Sequence, residues 1–147
     1  VVMRKLNKII LHCADTKPSM DIGVDEIRKW HVRDNGWKDI GYHWVIRRDG
    51  TIEKGRDESI IGAHCYGYNT GSICICLVGG MAQDSSKSEN NFTKVQFESF
   101  TKLIKEIRER YSYTHLKIFG HKELGNTDCP VFPITVFLRD YNINREY

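Results

Sequence analysis

His12, His121 and Cys129 are the residues of this chain whose types could do chemistry together. His12 stands in the run Ile9-Ile10-Leu11-His12-Cys13, and His121 and Cys129 bracket seven residues that include Gly125, Asn126 and Asp128. Two imidazoles and one thiolate suit Zn²⁺. Three protein ligands leave a fourth position for water, the arrangement of a hydrolytic zinc rather than a structural one. Cys13 is the obvious further thiol. On an extended strand it should point to the face opposite His12, so a closed four-ligand site is not expected. Taken singly, a histidine beside a cysteine is as readily a structural residue. The case rests on both histidines standing where a strand gives way to a loop.

The elements that must position these residues are legible. Lys8 to Cys13 is a β-branched and apolar run that reads as a buried strand. Val24, Ile27, Trp30 and His31 recur at helical spacing within a segment from Val24 to Val32, ended by Asn35-Gly36. Tyr42 to Arg48 and Thr51 to Lys54 flank Arg48-Asp49-Gly50 as a hairpin, and Ser72 to Val78 is a second apolar strand. Gln83 to Asn91 is polar and reads as a surface loop. Thr93 with Gln96 makes a capping box before a helix whose buried stripe is Phe97, Phe100, Leu103, Ile104 and Ile107. Leu116 to Phe119 reads as a strand entering the His121 loop, and Pro133 opens a last helix through Tyr141. Strands alternate with helices, which predicts an α/β domain: a central mixed sheet flanked by helices, one domain over residues 1–147.

Composition narrows the classes. The 147 residues are enough for one core without staples. A net charge of +3, dispersed along the chain, is too weak for nucleic-acid binding but compatible with approach to an anionic polymer. No run is long and apolar enough for an integral membrane segment, and no export signal is evident, so cytoplasmic synthesis of a soluble monomer is expected. The five cysteines (13, 65, 74, 76 and 129) are odd in number, and Cys74 and Cys76 fall on one face of a strand as buried thiols. His43 should turn away from Tyr42 and be buried and hydrogen-bonded. His31 and His115 read as structural, and core packing is the expectation for most of Trp30, Trp37 and Trp44.

The order of short motifs carries more. Leu11-His12-Cys13-Ala14-Asp15-Thr16-Lys17-Pro18 is followed by Gly41-Tyr42-His43-Trp44-Val45-Ile46-Arg47-Arg48-Asp49-Gly50, then Gly55-Arg56-Asp57-Glu58, Gly62-Ala63-His64 and Gly67-Tyr68-Asn69. Ser72-Ile73, Leu77-Val78-Gly79-Gly80 and the segment from Gly120-His121 to Cys129-Pro130 complete the series. With these motifs in this order, the chain resembles the type 2 N-acetylmuramoyl-L-alanine amidases, the family of the small bacteriophage amidase-lysozymes and the animal peptidoglycan recognition proteins.

The resemblance implies one Zn²⁺ per chain on His12, His121 and Cys129, with Tyr42 as the catalytic tyrosine beside the metal water. Thr127 stands where phage amidase-lysozymes commonly carry a catalytic lysine and zinc-containing recognition proteins a threonine. That departure bears on charge balance and pH optimum, not on the reaction. His64 and Asn69 match the substrate groove. The implied function is hydrolysis of the amide between the muramic lactyl group and L-alanine of peptidoglycan, as in a phage or prophage endolysin. Such an enzyme would reach the wall after membrane permeabilisation. Two alternatives stand beside it: a non-catalytic peptidoglycan-binding module, and a cysteine hydrolase with Cys129 as nucleophile and His121 as base.

Overall fold

The computed structural model describes residues 4–146. A five-stranded mixed sheet runs β3-β2-β4-β1-β5. Its strands are β1 (Lys8–Cys13), β2 (Trp44–Ile46), β3 (Ile52–Lys54), β4 (Ser72–Leu77) and β5 (Lys117–Gly120). Within this sheet β1 pairs in parallel with both β4 and β5, β2 pairs in parallel with β4, and the β2–β3 hairpin is antiparallel. Every residue of β4 is buried, as expected of a strand covered on both faces.

Period-two alternation divides the core. Ile9 and Leu11 of β1, with Ile73, Ile75 and Leu77 of β4, pack against α2 (Lys94–Arg110) and α3 (Ile134–Asp140). From α2 come Phe100, Leu103, Ile104 and Ile107, and from α3 Phe137 and Leu138. The other face carries Val45 and Cys76 against Ile22, Ile40 and the Val24 and Ile27 stripe of α1 (Val24–Lys29). Each of these side chains contributes about 1.5–3 kcal/mol by leaving water.

The α2 cap forms as the sequence predicts: Thr93 Oγ1 accepts the Gln96 N–H at 3.2 Å and Gln96 Oε1 accepts the Thr93 N–H at 2.9 Å. Gln96 is also fully buried, and its amide donates to the Ile46 and Val78 carbonyls at 3.1 and 2.9 Å. The capping residue therefore also ties the helix to β2 and to the strand end after β4.

Three expectations need correction. The first helix stops at Lys29 and widens into a π turn over Trp30–Asp34, in which nothing is buried. Trp30 and Trp37 are accordingly 36% and 37% exposed rather than in the core, Trp37 lying against His31 at 4.6 Å between ring centroids. The third tryptophan, Trp44, is half-buried against the core and donates to Glu58 at 2.6 Å. β2 begins at Trp44 rather than Tyr42, so strand alternation does not reach the Tyr42–His43 pair. Among the described residues, no helix is long and apolar enough to cross a membrane.

Candidate metal centre and active-site cleft

Parallel pairing builds the centre. The β1–β5 register sets Leu11 beside Gly120. The next residues in line are His12 and His121, whose ring centroids lie 4.2 Å apart. They stand at the carboxyl ends of adjacent parallel strands, where open α/β sheets place their ligand sites. His121 opens a 3₁₀ turn over His121–Glu123, pinned when Glu123 accepts the Gly120 N–H at 2.9 Å and pairs with Arg145 at 3.0 Å. Cys129 is returned to the same place by the Lys122 N–H, which donates to the Cys129 carbonyl at 2.7 Å. The Cys129 sulfur accepts the Cys13 N–H at 2.9 Å, and the Cys129 N–H donates to Thr127 Oγ1 at 3.2 Å.

One ligand atom from each of His12, His121 and Cys129 thus lies within 4.8 Å of the others. A tetrahedral zinc bonded at about 2.0–2.3 Å sets its ligand atoms about 3–4 Å apart, so this donor set fits the metal. Cys13 lies outside the group. Alternation explains this only in part, because at the strand end the Cys13 thiol turns near Gly80 and hydrogen-bonds Cys129. A Cβ on Gly80 would stand 2.9 Å from the Cys13 sulfur, and the backbone there is at φ +102°, so glycine is required twice over.

The electrostatics favour neutral imidazoles. Burial first, then the nearby His64 and His121, holds His12 well below 6.5, and burial lowers His121 as well. A neutral ring offers a lone pair to a cation. The hydrogen bond with Cys13, and then burial, pushes the Cys129 thiol up, and the same hydrogen bond lowers Cys13. A coordinating metal reverses the rise at Cys129, because a ligating thiol is deprotonated outright.

Around the triad, Tyr42 stands 5.4 Å from His12 and 5.3 Å from His31, ring to ring. Its hydroxyl hydrogen-bonds the Cys76 thiol. Burial, and then the Cys76 and Cys74 thiols, raises it well above 10, so it is a neutral donor at physiological pH. Thr127 and Cys129 line a cleft of about 200 Å³ together with Cys13, Asp15 and Ser88. His43 is buried and hydrogen-bonded through both nitrogens, as the sequence predicts. His31 accepts the Gly41 N–H at 2.9 Å, a structural bond that also sets it against Tyr42.

The comparisons decide the family. A family model described as N-acetylmuramoyl-L-alanine amidase matches residues 3–132. The chain belongs to this family. The amidase is 45% identical over 126 residues to an endolysin of Escherichia phage T7, which covers 86% of this chain and 81% of that protein. It is 30% identical over 116 residues to peptidoglycan-recognition protein SC2 of Drosophila melanogaster, covering 78% and 60%. Among solved structures, the N-acetylmuramoyl-L-alanine amidase LysC from Clostridium intestinale superposes with a TM-score of 0.76 at 27% identity, covering 96% of this chain and 88% of that one.

The loop from Gly55 to Gly71 gives the amidase contacts that sequence patterns did not reveal. His64 reaches His12, with Nδ1 3.1 Å from His12 Nε2, and Ser72 Oγ lies 3.2 Å from His64 Nε2. Asn69 spends its side-chain oxygen on the N–H groups of His64 and Cys65, both at 2.9 Å. Arg4 clamps the loop from outside, donating to the carbonyls of Glu58, Ile60, Asn69, Thr70 and Ser72 at 2.9–3.2 Å. A lone arginine near a chain start carries no periodic signal, which is why the clamp is invisible before folding. His12, His64 and Cys74 form a second His/Cys group within the same 4.8 Å limit. Cys74 is fully buried, and burial holds its thiol well above its usual range. That group has no partly exposed thiol to meet a substrate, whereas His121 and Cys129 are both partly exposed.

Proposed function

We propose that this amidase is zinc-dependent, with one Zn²⁺ on His12, His121 and Cys129. Its substrate is then peptidoglycan, cut at the amide between the muramic lactyl group and L-alanine of the stem peptide. The observation that carries the reading is the convergence of two imidazoles and one thiol within 4.8 Å at the carboxyl ends of β1 and β5. Bound zinc would polarise the scissile carbonyl and lower the pKa of a water toward about 7. Over the reaction, water oxygen bonds the carbonyl carbon, the C–N bond breaks, and the amine leaves with a proton derived from that water.

The chain's own residues orient and stabilise. Tyr42, kept protonated, would turn its hydroxyl from the Cys76 sulfur to donate to the carbonyl oxygen as negative charge develops. Thr127 accepts the Cys129 N–H with its oxygen, which leaves its hydroxyl hydrogen for the cleft. Both are poor bases at neutral pH and serve as donors and water-positioning groups. In this reading His64 and Asn69 form the wall beside His12, and Asn69 contributes by fixing the loop backbone. Against a cysteine nucleophile, Cys129 precedes Pro130 in a loop, with no helix N-terminus at its sulfur to favour the thiolate such chemistry needs. By similarity to the phage endolysins, the working place of the enzyme is the bacterial wall after membrane permeabilisation.

The test is metal content of the purified protein together with release of free stem peptides from peptidoglycan. One zinc per chain, with release abolished by chelation and restored by zinc, is the expected result. His12→Ala and Cys129→Ser should lose zinc and cleavage together. Zinc without cleavage would mark a binding module. A metal-free variant that keeps full activity would overturn the assignment.

A further inference from the structure

Ser72 is fully buried at the start of β4, where no water competes for its hydroxyl. A serine has one hydroxyl hydrogen. The 2.7 Å contact to the Tyr68 carbonyl takes it, because a carbonyl can only accept. The 3.2 Å contact between Ser72 Oγ and His64 Nε2 must therefore run the other way, with the His64 Nε2–H donating. In a neutral imidazole the other nitrogen is then a bare lone pair. That nitrogen, Nδ1, faces His12 Nε2 at 3.1 Å, so His12 Nε2 carries the hydrogen between them. His12 Nδ1 is left as its only lone pair.

We propose that Ser72 and His64 are positioning residues for the metal centre: a one-way hydrogen-bond chain from His12 through His64 and Ser72 to the Tyr68 carbonyl fixes His12 as its Nε2–H tautomer and presents Nδ1 to the metal. The inference rests on the zinc reading above and assigns His64 a role toward the metal rather than toward substrate. Metal-ligating histidines depend on such outer partners for tautomer and ring orientation. The chain also decides between the two His/Cys groups. A metal seated among His12, His64 and Cys74 would have to compete with the 3.1 Å contact between His12 Nε2 and His64 Nδ1. Arg4 donates to the Ser72 carbonyl at 3.0 Å and Asn69 holds the His64 N–H at 2.9 Å, so both ends of the chain are fixed to the backbone.

The test uses full-length wild type, Ser72→Ala, Ser72→Thr and Cys74→Ala. Zinc affinity is read by competition with a chromophoric chelator, and the His12 tautomer by long-range nitrogen–proton NMR on histidine-labelled protein. Ser72→Ala should weaken zinc by about 10–100-fold, Ser72→Thr should restore it, and Cys74→Ala should bind zinc as wild type does. His12 should be the Nε2–H tautomer in wild type and a mixture in Ser72→Ala. Unchanged affinity in Ser72→Ala, a wild-type His12 protonated at Nδ1, or loss of zinc from Cys74→Ala would each overturn the proposal. Should wild type bind no zinc at all, the metal reading fails. The tautomer measurement on metal-free protein still decides the hydrogen-bond chain, and it needs no variant to fold.

Discussion

Acid should weaken this fold through His43, and the size of the effect follows from its contacts. His43 is 0% exposed; its Nε2–H donates to the Ile60 carbonyl at 2.8 Å, and its Nδ1 accepts the Cys74 N–H at 3.0 Å. A proton added at Nδ1 would face that N–H donor, inside a dry site. Burial, helped by the neighbouring Arg4 and Arg56 charges and opposed by the Ile60 carbonyl, lowers the group from 6.5 to about 4. The folded value lies below the unfolded one, so the unfolded chain takes up the proton first. The stabilisation is complete above 6.5 and drains away as pH falls toward about 4. At about 1.4 kcal/mol per unit, going from about pH 7 to about pH 5 costs about 2 kcal/mol at this one residue, and the loss approaches about 3 kcal/mol near pH 4. Against a total stability of about 5–15 kcal/mol that is a large share.

The assay is urea unfolding of wild type and His43→Gln across this range. A glutamine amide can donate to Ile60 and accept from Cys74 without titrating. Other histidines and the carboxylates contribute alike to both proteins, so the difference between the two curves isolates His43. The variant's curve should be flatter by about 2 kcal/mol between about pH 7 and pH 5. Parallel curves would refute the reasoning. Because His43 ties Ile60 to β4, the same acid loss should loosen the loop that carries His64.

Further outcomes test the other parts. Tyr42→Phe should retain zinc but lower kcat by about 10²-fold, the scale of a lost oxyanion donor; loss of metal instead would make Tyr42 structural. Gln96→Leu leaves the Ile46 and Val78 carbonyls without a donor and should cost about 2–3 kcal/mol in chemical denaturation. Removing the Arg4 clamp with Arg4→Met should raise amide hydrogen exchange in the Glu58–Ser72 loop while leaving α2 protected; uniform protection in both would contradict a local clamp. Phe100→Ala, in the fully buried stripe of α2, should cost about 3–5 kcal/mol without altering zinc content.

Local signals in the sequence made most of the elements legible and named the candidate site's residues. Strand runs such as Ile9–Leu11, the Thr93–Gln96 capping box and the α2 stripe read correctly because propensity and periodicity are properties of neighbouring residues. The amphipathic reading of Val24–Val32 failed at Trp30 because hydrophobic spacing does not report a switch from α to π winding. The motifs named His12, Tyr42, His64, His121, Thr127 and Cys129, but spacing alone left the partners of each open.

Only the tertiary structure decided those partners. Parallel β1–β5 register makes His12 and His121 neighbours although 109 positions separate them in the numbering. A single backbone bond from Lys122 returns Cys129 to them. The turn of Cys13 toward Cys129, the five-carbonyl grip of Arg4 and the link from Ser72 through His64 to His12 depend on chain segments meeting across long loops. Contacts of that kind leave no period in the sequence, because their geometry exists only once the sheet has set its register.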